Sequence, residues 1–195
     1  MNKEQNIKEL NNIVEEKFRD ETLVLGYGSV HSKIVLIGEA PGKNEVEKGK
    51  PFVGAAGKYL DEFLDILELD RKDIYITNTV KYRPTKISDK TGNKINRTPK
   101  KNEIEKFREY LYKELSIIGP TIIVTLGNIP FKTVMNNDNI TIGSYHGKPL
   151  EKEIDNTIYT IYPLYHPAAV IYNRSIKEQY INDLHNLKKV LNKKI

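Results

Sequence analysis

Four runs of apolar and β-branched residues punctuate the chain: KIVLIG at 33–38, DIYITNTV at 73–80, TIIVTLG at 121–127 and TIYTIYPL at 157–164. Their length, their β-branched content and the turn-forming residues around them predict strands. Between them, apolar residues recur at helical spacing in AGKYLDEFLDILEL at 56–69, PKKNEIEKFREYLYKELSII at 99–118 and NIPFKTVMN at 128–136. An amphipathic segment, MNKEQNIKELNNIVEEKF, opens the chain. A last one, IKEQYINDLHNLKKVLNKK, sets Ile176, Tyr180, Leu184, Leu187 and Leu191 on one helix face. Strand and helix alternating in this way predict an α/β fold, with a mostly parallel sheet covered by helices on both faces. In such folds function gathers at the carboxyl ends of the strands. GEAPG follows the first strand, NTVKYRP the second and YHPAAVIYNR the last.

With 195 residues, 38% of them hydrophobic, the chain can bury one good core, and a single domain over 1–195 is expected. No apolar run approaches a membrane span and the N-terminal stretch is charged where a signal peptide is apolar, so a cytoplasmic protein is expected. Cysteine is absent. That excludes disulfides, a thiol nucleophile, thiolate zinc sites and thiolate-held iron–sulfur clusters. The formal net charge of +5 is unevenly spread. Residues 81–101, KYRPTKISDKTGNKINRTPKK, set eight basic residues against Asp89 alone, leaving the rest of the chain slightly acidic. Such a segment suits a polyanion, since each phosphate contacted releases counterions. A solvated lysine-rich loop at the active edge is the plainer alternative.

Within GEAPG, Gly38 and Gly42 permit a tight turn and a close ligand, and Pro41 stiffens the path between them. The Walker Gly-Lys-Ser/Thr ending and the Rossmann glycine spacing are both missing, which disfavours nucleoside triphosphate chemistry. Phe52 follows Pro51 in GKPFVGAAG, with Gly54 and Gly57 leaving little bulk around it. An aromatic there can wall a flat pocket and stack on a base, or plug the core beneath the loop. Asn78 ends its strand with an amide that offers both donor and acceptor. That suits the N3–H and O4 edge of a pyrimidine such as uracil, and equally a cap on a neighbouring turn. His166, held before Pro167 at the exit of the last strand, can stabilise an anionic oxygen or serve the structure.

Taken together, GEAPGKNEVEKGKPFVGAAGKYLDEFL, YITNTVKYRP, NRTP and YHPAAVIYNR resemble, in order and spacing from about residue 33 onward, the uracil-DNA glycosylase superfamily, most closely its family 4 branch. The resemblance implies a three-layer α/β/α sandwich with a mostly parallel central sheet. It also implies a DNA repair enzyme that flips uracil out of DNA and hydrolyses its N-glycosidic bond, releasing uracil and leaving an abasic site. By position, Phe52 stacks on the flipped base, Asn78 reads its Watson–Crick edge and His166 stabilises the charge that develops on O2. Glu39 stands at the motif-one glutamate and organises the attacking water or the cationic sugar, while Gly38, Ala40 and Gly42 present backbone groups to base and phosphate. Lys86, Lys90, Lys94, Asn96 and Arg97 are the expected DNA-binding residues of the basic segment. Val170, Ile171 and Tyr172 are the expected apolar wedge, with Arg174 on phosphate. The alternative for PAAVIYN is a short helix packed on the sheet. Neither a metal nor a redox cofactor is required, uracil-containing DNA is the expected partner, and a monomer with no membrane association is expected.

Two departures from the family pattern stand out. Family 4 members usually carry four cysteines holding an iron–sulfur cluster, whereas Tyr82 and Glu105 stand at two of those positions here and the N-terminal pair is missing. A cluster-free variant is therefore expected, with packing and ion pairs fastening the 82–105 region. TKISDKTGNKI lengthens the loop before NRTP, similar to an insertion of a related branch that traps the abasic sugar through a histidine. The corresponding region here offers Asn96 and no histidine, so turnover is expected. Ala40, where family 1 enzymes carry a catalytic aspartate, fits the family 4 manner of water activation. The competing readings are a non-catalytic uracil- or damaged-DNA binding protein, a glycosylase for another deaminated base such as hypoxanthine or xanthine, and, least favoured, a small-molecule hydrolase.

Overall fold

A computed structural model describes residues 2–172 and 174–194. In chain order, α1 (Lys3–Lys17) is followed by β1 (Tyr27–Gly28), β2 (Ile34–Gly38), α2 (Lys43–Lys48), α3 (Ala55–Leu67) and β3 (Tyr75–Asn78). Then come β4 (Thr85–Ile87), β5 (Lys94–Asn96), α4 (Lys101–Ile118), β6 (Ile122–Leu126), α5 (Asn128–Met135) and α6 (Ile142–Tyr145). The chain continues through β7 (Leu150–Ile154), β8 (Thr157–Leu164), α7 (Pro167–Tyr172) and α8 (Lys177–Lys194). The four predicted strands all form, and they lie parallel in the order β3-β2-β6-β8. Short antiparallel strands extend the sheet at both edges, β1 on β3 and β7 on β8. Both escape the apolar pattern for simple reasons. β1 has only two residues, and LEKEI in β7 carries three consecutive charged residues, as suits an edge. Among the described residues no helix is long and apolar enough to cross a membrane.

Residue parity decides which helical layer each strand side chain joins. Ile34 and Leu36, Ile74 and Ile76, Ile122 and Val124, and Tyr162 and Leu164 point to one face, where Leu60, Phe63 and Leu64 of α3 and Leu184 and Leu187 of α8 cover them. Val35 and Ile37, Tyr75, Ile123 and Ile161 point to the other face, against Leu111 and Leu115 of α4 and Phe131 of α5. The sheet is thus buried on both sides between two helical layers, the α/β/α arrangement expected for near-continuous apolar strands. Because β2 takes β3 on one side and β6 on the other, the strand order reverses at β2. The crevice at its carboxyl end is where α/β sheets place ligands.

The basic segment is no mere loop. Residues 85–87 and 94–96 pair antiparallel as a two-stranded ribbon separate from the main sheet. The hydrophobic pattern hid it because its strands are three residues each and rich in lysine. Its base is fastened to α4 through one carboxylate. Glu103 accepts from Arg97 at 2.6 and 2.7 Å, from the Tyr82 hydroxyl at 2.5 Å and from the Lys100 N–H at 2.6 Å. The Arg97 guanidinium, seconded by Tyr82 and the Lys100 amide, holds the Glu103 carboxyl down at about 2.

Between β3 and α4 lies a buried ion pair. Lys81 and Glu114, each with a 3% exposed side chain, meet at 2.6 Å. The Tyr75 hydroxyl (2.8 Å) and the Thr77 hydroxyl (3.1 Å) also donate to Glu114, and Lys81 donates to Thr77. Removing one partner of such a pair strands the other charge in the interior, which costs about 3–5 kcal/mol. Glu114→Ala is therefore expected to lower stability by about that amount in urea denaturation, the pair being fully desolvated. A loss below about 1 kcal/mol, the scale of an exposed pair, would contradict this reading.

Candidate active site

Parallel pairing sets Gly38 of β2 directly beside Asn78 of β3. Asn78 shares the parity of Ile74 and Ile76, so its side chain faces the α3 layer and the loop that leads into α3. The approach is close. A Cβ on Gly38 would stand 2.4 Å from Asn78 Oδ1 and 2.7 Å from the Phe52 ring, so only glycine fits. Phe52 reaches this place with φ of 53°, a left-handed conformation rare for a bulky residue. Backbone strain of this kind costs roughly 1–3 kcal/mol and persists where the surroundings impose it. Gly57 is one such surrounding, since a Cβ there would meet the Phe52 carbonyl oxygen at 2.1 Å. The Phe52 ring is only 4% exposed and faces the His166 ring with centroids 6.0 Å apart and planes at 27°. It is both a plug against the core and a wall of the cavity.

The loop after β2 is fastened to the loop after β3. The Thr79 N–H and hydroxyl both donate to the Gly38 carbonyl, at 2.9 and 3.1 Å, and the Val80 N–H donates to the Glu39 carbonyl at 3.1 Å. A cavity of 340 Å³ opens there, lined by Ala40, Gly42, Phe52, Asn78, Asn96 and His166 among others. A second cavity of 550 Å³ shares Ala40, Asn96 and His166 with the first and adds Glu39, Lys86, Arg97 and Thr98. The sequence-predicted base-binding and catalytic residues are thus brought together by three strand ends, with the hairpin at the rim.

Among the ionisable groups lining the cavities, His166 and Glu39 are the ones desolvated by burial. Burial pushes His166 down to about 4, so the ring is neutral at pH 7. Its Nδ1 accepts the Ala168 N–H at 3.2 Å, which leaves the proton of the neutral ring on Nε2. Burial raises the Glu39 carboxyl, with a hydrogen bond from Thr98 opposing the shift. The site therefore holds a neutral N–H donor and a carboxylate poised to take a proton.

Several expected contacts are placed differently. The Gly42 N–H is already taken by Glu45 Oε2 at 2.9 Å, so it is not a free phosphate donor. Arg97 lines the second cavity, yet its guanidinium is committed to Glu103, the Thr85 carbonyl and the Thr98 carbonyl, which makes it the anchor of the hairpin. Asn96 stands between the cavities and accepts from Arg83 Nε at 2.7 Å. Lys86 lines the second cavity, while Lys90 and Lys94 stand exposed on the hairpin. Val170 is half-buried on α7. It packs against the α3–α8 core, as the short-helix alternative for PAAVIYN requires. The side chains of Ile171, Tyr172 and Arg174 lie outside the described residues. Glu45 was not anticipated, although the Gly42-to-Glu45 spacing is a capping signal at the start of α2.

The donor set does not fit an iron–sulfur cluster. Tyr82 is bonded to Glu103, Glu105 pairs with Arg108 at 2.6 Å, and the chain supplies no thiolate. Among the described residues no group of three His, Cys, Asp or Glu is placed to hold a metal ion.

The model of the uracil DNA glycosylase superfamily matches residues 25–186. A type-4 uracil-DNA glycosylase of Archaeoglobus fulgidus is 39% identical over 88% of this chain and 83% of its own. Those of Saccharolobus solfataricus and Sulfurisphaera tokodaii are 38% and 39% identical, over 91% and 86% of this chain and 80% and 74% of theirs. With a match that runs from β1 into α8, through every strand end of the cavity, the chain belongs to the uracil-DNA glycosylase superfamily.

Proposed function

We propose that this chain excises uracil from DNA, acting as a monomer and with no cofactor of its own. One observation carries the reading: an amide, an aromatic ring and a neutral imidazole N–H converge on one cavity beside a desolvated carboxylate. Asn78 Oδ1 accepts the uracil N3–H and its NH₂ donates to O4, while the Phe52 ring stacks on the base. The C1′–N1 bond then breaks with its electrons moving onto uracil, and the sugar becomes an oxocarbenium ion. His166 Nε2–H donates to O2, where the negative charge gathers. Glu39 stabilises the cationic sugar and takes the proton of the water that adds to C1′. Uracil leaves as the anion and is protonated in solvent, and the DNA keeps an abasic site. Lys86, Lys90 and Lys94 hold phosphates and carry no part of the bond-breaking step.

Labelled oligonucleotides bearing U, hypoxanthine, xanthine or a T mismatch, treated with alkali after incubation, test this directly. Cleavage at U is expected, and none at U would end the reading. His166→Ala is expected to slow single-turnover cleavage by about a hundredfold or more, the scale of losing one oxyanion donor. Asn78→Asp is expected to lower uracil cleavage by about tenfold to a hundredfold through an unmatched buried edge. Unchanged cleavage would remove Asn78 from that role.

The state of His166 is open to NMR titration, with a midpoint expected near 4. The unfolded chain binds this proton near 6.5, so the group favours folding above that pH and the contribution is lost as pH falls toward 4. A native midpoint near 6.5 would contradict the desolvated, neutral donor. Protein purified under native conditions is expected to carry no stoichiometric iron and no visible absorbance band, measured by metal analysis and spectroscopy.

A further inference from the structure

Phosphate docking leaves part of the hairpin unexplained. Lysines account for contact with phosphates, but not for Ile87 and Ile95, which stand 58% and 38% exposed. The register pairs Thr85 with Asn96, Lys86 with Ile95, and Ile87 with Lys94. Each isoleucine therefore lies beside a lysine, and the two isoleucines point to opposite faces of the ribbon. Strand propensity favours isoleucine in a hairpin. It does not stabilise a two-stranded ribbon with both faces in water, which is marginal on its own.

The base of the ribbon is nevertheless fixed in direction. Arg97 Nε donates to the Thr85 carbonyl at 3.1 Å while its fork grips Glu103, and Arg83 holds Asn96 across the same rung. Asn96 lines the cavity. Ile95 stands one residue farther out, and the Ile87–Lys94 rung two residues farther. At about 3.3–3.4 Å per strand residue, these steps match the ~3.4 Å rise of stacked bases along one DNA strand.

Resting on the reading as a uracil excision enzyme, we propose that this hairpin is a wedge for duplex DNA. Ile87 and Ile95 lie against the bases neighbouring the flipped nucleotide and hold open the stack it has left, while Lys86, Lys90 and Lys94 grip the phosphates on either side. Aliphatic side chains inserted at a base step offset lost stacking, and the flanking cations keep the ribbon against the backbone. Charge selects nucleic acid over a protein as the occupant. Of the eight basic residues from 81 to 101, Lys81, Arg97 and Lys101 are paired with carboxylates of the fold, which leaves Arg83, Lys86, Lys90, Lys94 and Lys100 against Asp89 alone, and the segment borders the cavity directly.

The wedge acts where there is a stack to open, so its removal separates duplex from single strand. Wild-type protein and the double variant Ile87→Ser, Ile95→Ser are compared in single-turnover cleavage of one uracil-bearing strand, alone and in duplex. The emission of 2-aminopurine placed next to the uracil in the duplex is read in parallel. The variant is expected to lose about tenfold on duplex and about twofold on single strand, and to raise the emission less than wild type. Urea midpoints report folding, and exposed side chains are expected to leave them unchanged. Equal losses on both substrates, or wild-type behaviour on both, would overturn the wedge. Wild-type DNA behaviour with lost binding of an acidic protein would assign the hairpin to a protein partner and overturn it as well. If wild-type protein cleaves no uracil, the excision reading fails on its own. The emission then decides the wedge: a rise that the variant loses keeps it, and no rise ends it.

Discussion

The site depends on one missing methyl group. At Gly38 the backbone of β2 comes close enough for the Asn78 amide and the Phe52 ring to meet over it, and any Cβ there would collide with both. The consequences spread outward. Phe52 holds a left-handed backbone whose carbonyl fits only because Gly57 has no Cβ, and its ring in turn faces His166. A cavity lined by an amide, an aromatic ring and an imidazole is thus assembled by three strand ends and one turn, all docked on rigid parallel pairing.

The two faces of β3 treat charge in opposite ways. On the α4 face, Lys81 and Glu114 are buried as a pair, and Tyr75 and Thr77 supply donors to the remaining carboxylate lone pairs. Nothing there is left to react. At the carboxyl ends of the strands, beyond its other face, His166 and Glu39 are desolvated without a charged partner, and each shifts toward its neutral form. The structural charges are matched within the fold, while the two groups at the cavity have no charged partner in it. That contrast fits the catalytic roles proposed for the two groups.

Much of this was legible in the sequence, and the parts that were not share a cause. The four parallel strands are apolar on both faces, so composition alone revealed them. Asn78 and His166 could be placed because one ends such a run and the other follows one, and Phe52 because it stands between Pro51 and the glycines that lead into a helix. β1, β7 and the hairpin are polar or very short, and for those the pairing partner, which no local pattern contains, decides the structure. The same limit applies to contacts. Gly42 and Arg97 have the right chemistry for phosphate, but Glu45 and Glu103 claim their donors from within the fold. Val170 looks like a wedge on paper, and in the fold it is half-buried against the core between α3 and α8.

The region from 82 to 105 shows how a fold can fasten a long excursion with hydrogen bonds, an ion pair and ring packing. Glu103 gathers a phenol, a guanidinium and a backbone amide onto one carboxylate, and the Tyr82 ring adds contact with Phe107 5.8 Å away. A multivalent metal centre can fasten distant segments through strong bonds that tolerate few alternatives. A carboxylate hub achieves similar connectivity through weaker, directional bonds, so the chain between its arms must itself be regular. The antiparallel ribbon supplies that regularity. Its two strands leave and return at the same place, with Arg97 at the base bonded both to the Thr85 carbonyl and to Glu103. A floppy insertion of the same length would carry its lysines in every direction. The ribbon instead presents them, and the isoleucines beside them, from the rim of the cavity outward.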